Sequence, residues 1–136
     1  MSKGFLVFVL LVVVGLIAYW AFYPGASAAT IYLSSQNNSS QTGVVTVRDD
    51  ASGKAHVVVN LVNEPAGASQ PMHFHAGSCA VIGAVKYTLA NAVNGKSETT
   101  LSVSTSELMA QLPLAVNVHK SAAEMGVYVA CGDVVR

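Results

Sequence analysis

Apolar and polar positions divide this chain into two unlike parts. From Phe5 to Phe22 every position except Gly15 is apolar, whereas beyond Pro24-Gly25 the pattern breaks into short alternating stretches separated by turn-forming residues. A helix over the first block would be about 27 Å long at roughly 1.5 Å per residue, close to the hydrocarbon thickness of a bilayer. Lys3 precedes it, Tyr19, Trp20, Phe22 and Tyr23 gather at its far end, and no further Lys or Arg occurs before Arg48. That asymmetry predicts a cytoplasmic N-terminus and an exported remainder. Residues 1–23 are therefore expected to form a membrane anchor, 24–29 a linker and 30–136 an extracytoplasmic domain. Ala26-Ser27-Ala28 before Ala29 also has the small-residue pattern of a signal-peptide cleavage site, so a secreted domain is the alternative.

The alternation predicts strands near Thr30 to Ser34, Gly43 to Asp49, Lys54 to Val62, Pro71 to Ala76, Ala84 to Ala90, Glu98 to Val103, Pro113 to His119 and Gly126 to Gly132. Eight short strands imply an all-β barrel or sandwich. Asp50-Ala51-Ser52-Gly53 and Asn94-Gly95 are hairpin turns by composition, because their residues tolerate positive φ. A helical turn is expected from Thr105 to Gln111, where Ser104 and Glu107 have capping-box spacing and Pro113 ends the run.

Composition narrows the function. Seven basic and seven acidic residues cancel, and charged side chains make up 10% of the chain. No basic stripe exists to neutralise phosphates, which argues against a nucleic-acid partner.

The chemistry concentrates in Met72-His73-Phe74-His75-Ala76-Gly77-Ser78-Cys79. On a strand, His73 and His75 project to one face while Met72 and Phe74 project to the other. His119 ends Leu114-Ala115-Val116-Asn117-Val118-His119, whose Leu114, Val116 and Val118 share the opposite face. Three neutral imidazoles suit copper or zinc, and no neighbouring carboxylate favours a harder ion. Solvated surface histidines are the competing reading. Cys79 and Cys131 are the only cysteines, and an even count in an exported domain favours a disulfide over two buried free thiols. His56 opens its strand without a His, Cys or Asp near it in sequence and reads as an exposed strand-end residue. Met109 and Met125 are possible soft copper ligands or core filler, and Met72 is expected to pack inward.

These motifs together resemble the copper/zinc superoxide dismutase family over roughly Thr30 to the C-terminus. His73-Phe74-His75 with Gly77 and Cys79 is similar to that family's H-x-H strand and bridging cysteine, Val118-His119-Lys120 with Ala122 and Ala123 to its V-H-E-K-A segment, and Val129-Ala130-Cys131-Gly132 to its closing L-A-C-G. The resemblance implies an eight-stranded Greek-key barrel, copper ligands at His73, His75 and His119, and a Cys79–Cys131 disulfide. The chain departs from the family in two places. Only Ala80-Val81-Ile82-Gly83 lies between Cys79 and the next expected strand, with none of the family's zinc-binding histidines or aspartate, so no zinc is expected. The family's long charged loop shrinks to Lys120 to Met125, and Tyr128 stands where its anion-guiding arginine would be.

The resulting expectation is a membrane-tethered, extracytoplasmic copper-binding domain for copper sequestration or delivery, with a copper-donor or copper-acceptor protein or a membrane complex as partner. Its short loops predict an open site on the outside of the barrel. A copper-only superoxide dismutase is one alternative, and a metal-free accessory subunit of a membrane complex is the other.

Overall fold

The computed structural model describes residues 3–5, 7–9, 12–14 and 28–136. The first three groups are helical and expose apolar side chains such as Phe8 and Val14. Among the described residues no helix is long and apolar enough to cross a membrane. The anchor expected over Phe5 to Phe22 and the linker at 24–29 lie largely outside the described residues.

The rest is an all-β, closed antiparallel barrel of eight strands: β1 (Ala28–Ser35), β2 (Thr42–Asp49), β3 (Ala55–Val62), β4 (Ser69–Ser78), β5 (Val81–Val93), β6 (Lys96–Thr100), β7 (Leu114–His119) and β8 (Tyr128–Asp133). Around the barrel the order is β1-β2-β3-β6-β5-β4-β7-β8, and β8 closes onto β1. The chain therefore crosses the barrel twice, from β3 to β4 and from β6 to β7. These crossovers make β4 and β7 neighbours, although they are distant in sequence.

Strand alternation fills the interior. Ile31, Leu33, Val45, Val47, Val57, Val59, Met72, Phe74, Leu114, Val116 and Val118 all belong to one buried cluster. Fully burying one such side chain stabilises the fold by about 1.5–3 kcal/mol. Met72 packs inward as its parity predicts, with no exposed surface.

The turns follow their composition. Asn94 and Gly95 take φ of 49° and 72° between β5 and β6. Asp50 Oδ1 accepts from the Ser52 and Lys54 amides, and Gly53 has φ 78°. The crossover after β6 carries a short helix, α1 (Thr105–Met109), whose capping box forms as expected: the Glu107 amide donates to Ser104 Oγ and the Ser104 amide donates to the Glu107 carboxylate.

Several boundaries differ from the sequence expectation. β4 continues to Ser78 and β5 begins at Val81, so the expected connector Ala80 to Gly83 is mostly strand and the turn falls at Cys79-Ala80. Val81, Gly83, Ala84 and Val85 are all exposed, so the alternation that marks a half-buried strand is missing there. β6 ends at Thr100 rather than Val103, and β8 begins at Tyr128 because Gly126 and Val127 complete a turn through the Val127 amide and the Glu124 carbonyl.

Candidate metal centre

β4 and β7 pair antiparallel with His73 opposite Asn117 and His75 opposite Ala115. Because Phe74, Val116 and Val118 fill the core, the intervening residues His73, His75, Ala115, Asn117 and His119 share the outer face. The crossovers thus bring together three histidines that the sequence separates. Each offers one ring nitrogen, and these atoms lie within 4.8 Å of one another.

Backbone carbonyls set the orientation of two rings. His75 Nδ1 lies 3.0 Å from the Gly83 carbonyl and His119 Nδ1 lies 2.5 Å from the Met125 carbonyl. A carbonyl only accepts, so both Nδ1 atoms carry the proton and each Nε2 is left as the ring's acceptor. His119 Nε2 lies 2.9 Å from His73 Nδ1 and, as the acceptor, requires that His73 Nδ1 donate. His75 Nε2 is buried and has no hydrogen-bond partner among the described residues. An unpaired buried acceptor beside two other imidazoles could serve as a ligand atom, and carbonyl bonds to the far nitrogen are the usual means of orienting a ligating histidine. His75 and His119 are therefore ready to ligate through Nε2, whereas His73 must move its proton from Nδ1 to Nε2.

The site is less open than the short loops suggest. His75 is 5% and His119 4% exposed, and the Tyr128 ring packs at an angle against His119 with centroids 5.1 Å apart. Only His73 is half-exposed, so access is from its side. The segment that carries Met125 and the β5 residue Gly83 flank the other two rings through their backbone carbonyls.

Burial disfavours the imidazolium form of His73, with the neighbouring His119 and His75 adding to the effect, and its pKa falls below the ordinary histidine value. His119 is also lowered, chiefly by burial, while its bond to the Met125 carbonyl opposes the shift. Both rings therefore favour the neutral, ligating form at neutral pH. The donor set of three neutral nitrogens fits a borderline transition-metal ion and leaves that ion its full positive charge.

The disulfide adjoins this face. Cys79 and Cys131 are bonded with Cα atoms 5.9 Å apart, and Cys131 lies opposite Asn117 in the β7–β8 pair. The bridge joins the β4–β5 turn to β8, and the Cys79 amide also donates to Asp133 Oδ1 at 2.7 Å. Such bridges persist in oxidising compartments. Other expected candidates lie elsewhere. Met72 is in the core, Met109 packs against it, and Met125 contributes its backbone carbonyl rather than its sulfur to the site's hydrogen bonding. His56 lies near the start of β3 as expected but is half-buried rather than exposed, and Glu98 Oε2 on the adjoining strand β6 lies 3.5 Å from its Nε2.

The sequence reading missed the Gly83 and Met125 carbonyls, Tyr128 as a cover for His119, and Asn117. Backbone acceptors leave no signal in residue type, but Asn117 was legible as a polar residue on the histidine face of an otherwise apolar strand. No family model, curated protein or solved structure matches the chain, so its function is read from this site.

Proposed function

We propose that this protein is a membrane-tethered, extracytoplasmic copper-binding module that sequesters copper or passes it to a partner protein. The observation that carries the reading is the buried, unpartnered Nε2 of His75 in a trio of histidines whose candidate ligand nitrogens lie within 4.8 Å of one another. Among divalent first-row ions, copper binds an all-imidazole site most tightly. The order of the H-x-H, V-H and A-C-G motifs, together with the two-crossover closed barrel, supports a Greek-key domain of superoxide dismutase type. The disulfide and the apolar N-terminal block support an exported, anchored location.

Dismutation is the second reading, because the half-exposed His73 side leaves the centre accessible to a small molecule. That reaction converts two superoxide ions and two protons to dioxygen and hydrogen peroxide. It is favoured less because Lys120, the nearest cation in sequence to His119, is tied to Glu124 at 2.8 Å instead of projecting an unpaired charge.

A competition titration of the full chain against a chromophoric copper chelator tests the main reading. Replacing His75 by Ala should weaken binding by at least about 10-fold; equal affinity in the two proteins would refute it. Copper-loaded protein should dismutate superoxide no faster than a His119→Ala control. A rate well above both the control and free copper would establish the enzyme reading instead. Failure of the wild type to retain copper would favour a metal-free accessory role.

A further inference from the structure

Asn117 sits in the middle of the histidine group without a hydrogen-bonding role. It lies directly across from His73 in the β4–β7 pair and across from Cys131 in the β7–β8 pair. Directly opposed residues on one face of an antiparallel pair have Cβ atoms about 4.5–5.5 Å apart. His75 follows His73 by two residues on β4, and His119 follows Asn117 by two on β7, so these two histidines occupy diagonal corners around the central His73–Asn117 pair. The Asn117 side chain is 0% exposed, and neither Oδ1 nor Nδ2 has a hydrogen-bond partner among the described residues. The adjacent core residues Val116 and Val118 rule out an inward orientation.

An apolar side chain of similar size would avoid desolvating a carboxamide at this position. A buried amide with both ends unpaired, on the same strand face as three histidines, calls for a partner that the described residues do not provide. We infer that Asn117 is a fourth protein donor to the metal centre, with Oδ1 facing the ion from the barrel side and completing an N3O set. This rests on the metal-binding reading above and extends it. A carboxamide oxygen is a harder donor than an imidazole nitrogen, so it favours Cu(II) over Cu(I). With the barrel side closed by Asn117, the half-exposed His73 side is left for exchange with a partner.

The test uses the full chain in detergent with one equivalent of Cu(II), comparing wild type, Asn117→Leu and Asn117→Asp. The Leu variant should shift the parallel g value and copper hyperfine splitting, and weaken Cu(II) binding about 10–100-fold while changing Cu(I) binding only about twofold. The Asp variant retains an oxygen and should hold Cu(II) at least as tightly as wild type. Wild-type spectra and Cu(II) affinity in the Leu variant would overturn the assignment. Should that variant fail to fold, wild-type protein carrying 13C at the asparagine side-chain carbonyls decides the matter by pulsed electron paramagnetic resonance. An isotropic 13C coupling supports coordination, and its absence refutes it. Three-nitrogen copper binding without this coupling would overturn the Asn117 role alone, whereas a wild type that binds no copper would remove the underlying metal site as well.

Discussion

Breaking the Cys79–Cys131 bridge should weaken both the barrel and the proposed metal site. The bridge closes a loop with a sequence separation of 52. In the chain-entropy treatment, a loop of that size lowers the entropy of the unfolded state enough to stabilise the fold by about 4 kcal/mol. For a domain of this size, that loss corresponds to a fall of roughly 15 °C in Tm. The perturbation is the double variant Cys79→Ala/Cys131→Ala, which leaves no buried hydroxyls and no free thiols to capture copper. Chemical denaturation of the metal-free protein provides the magnitude, and reduced wild type should show a similar loss. The same bridge anchors the β4–β5 turn, four residues before the Gly83 carbonyl that orients His75. Copper affinity should therefore fall too, even though neither sulfur is a ligand. A stability change below about 1 kcal/mol would refute the reasoning about the loop, and unchanged copper affinity would refute the link to His75.

Other consequences follow from particular residues. Because burial holds His73 and His119 below the ordinary histidine value, the unfolded chain takes up protons that the folded chain resists. Their contribution to stability is present above about pH 6.5 and is lost as pH falls through the lower folded values. Melts of the metal-free protein between about pH 7.5 and pH 5 should show a declining Tm that flattens in His73→Gln; a flat wild-type profile would contradict the shifts. Gly77 has φ 97°, and a Cβ there would collide with the Val81 carbonyl oxygen across the turn. Gly77→Ala should therefore cost at least about 1–3 kcal/mol in urea unfolding, and a neutral outcome would show that the turn can rearrange. Phe74 is fully buried beneath the His73 and His75 strand, with its ring edge-on to Tyr87 at 6.5 Å. Phe74→Ala should lose about 3–5 kcal/mol by the same assay, and a loss below 1 kcal/mol would mean the cavity collapses freely.

Much of this architecture is legible in the sequence because the relevant rules are local. The period-two pattern of β3, the Asn94-Gly95 turn and the Ser104–Glu107 capping box each depend on residues adjacent in the chain. β5 was misread at its start because both faces of Val81 to Val85 are largely exposed, which erases the period. Register irregularities between β4 and β5 at Gln70/Met72, Phe74/His75 and His75/Gly77 disturb the same region. Strand parity placed His73 and His75 side by side, but the position of His119 beside them depends on two crossovers that no local pattern encodes. The degree of cover was misjudged for a related reason. Short connections predicted openness, whereas β5 itself and the turn before β8 wall the rings through Gly83, Met125 and Tyr128.

The central claim is that His73, His75 and His119 form one copper site. The full chain titrated with Cu(II) and examined by electron paramagnetic resonance at one equivalent tests it most directly. A single Cu(II) species with nitrogen hyperfine structure, lost in each of His73→Ala, His75→Ala and His119→Ala, is the predicted result. Absence of nitrogen-ligated Cu(II) in the wild type, or an unchanged spectrum in those variants, would contradict it.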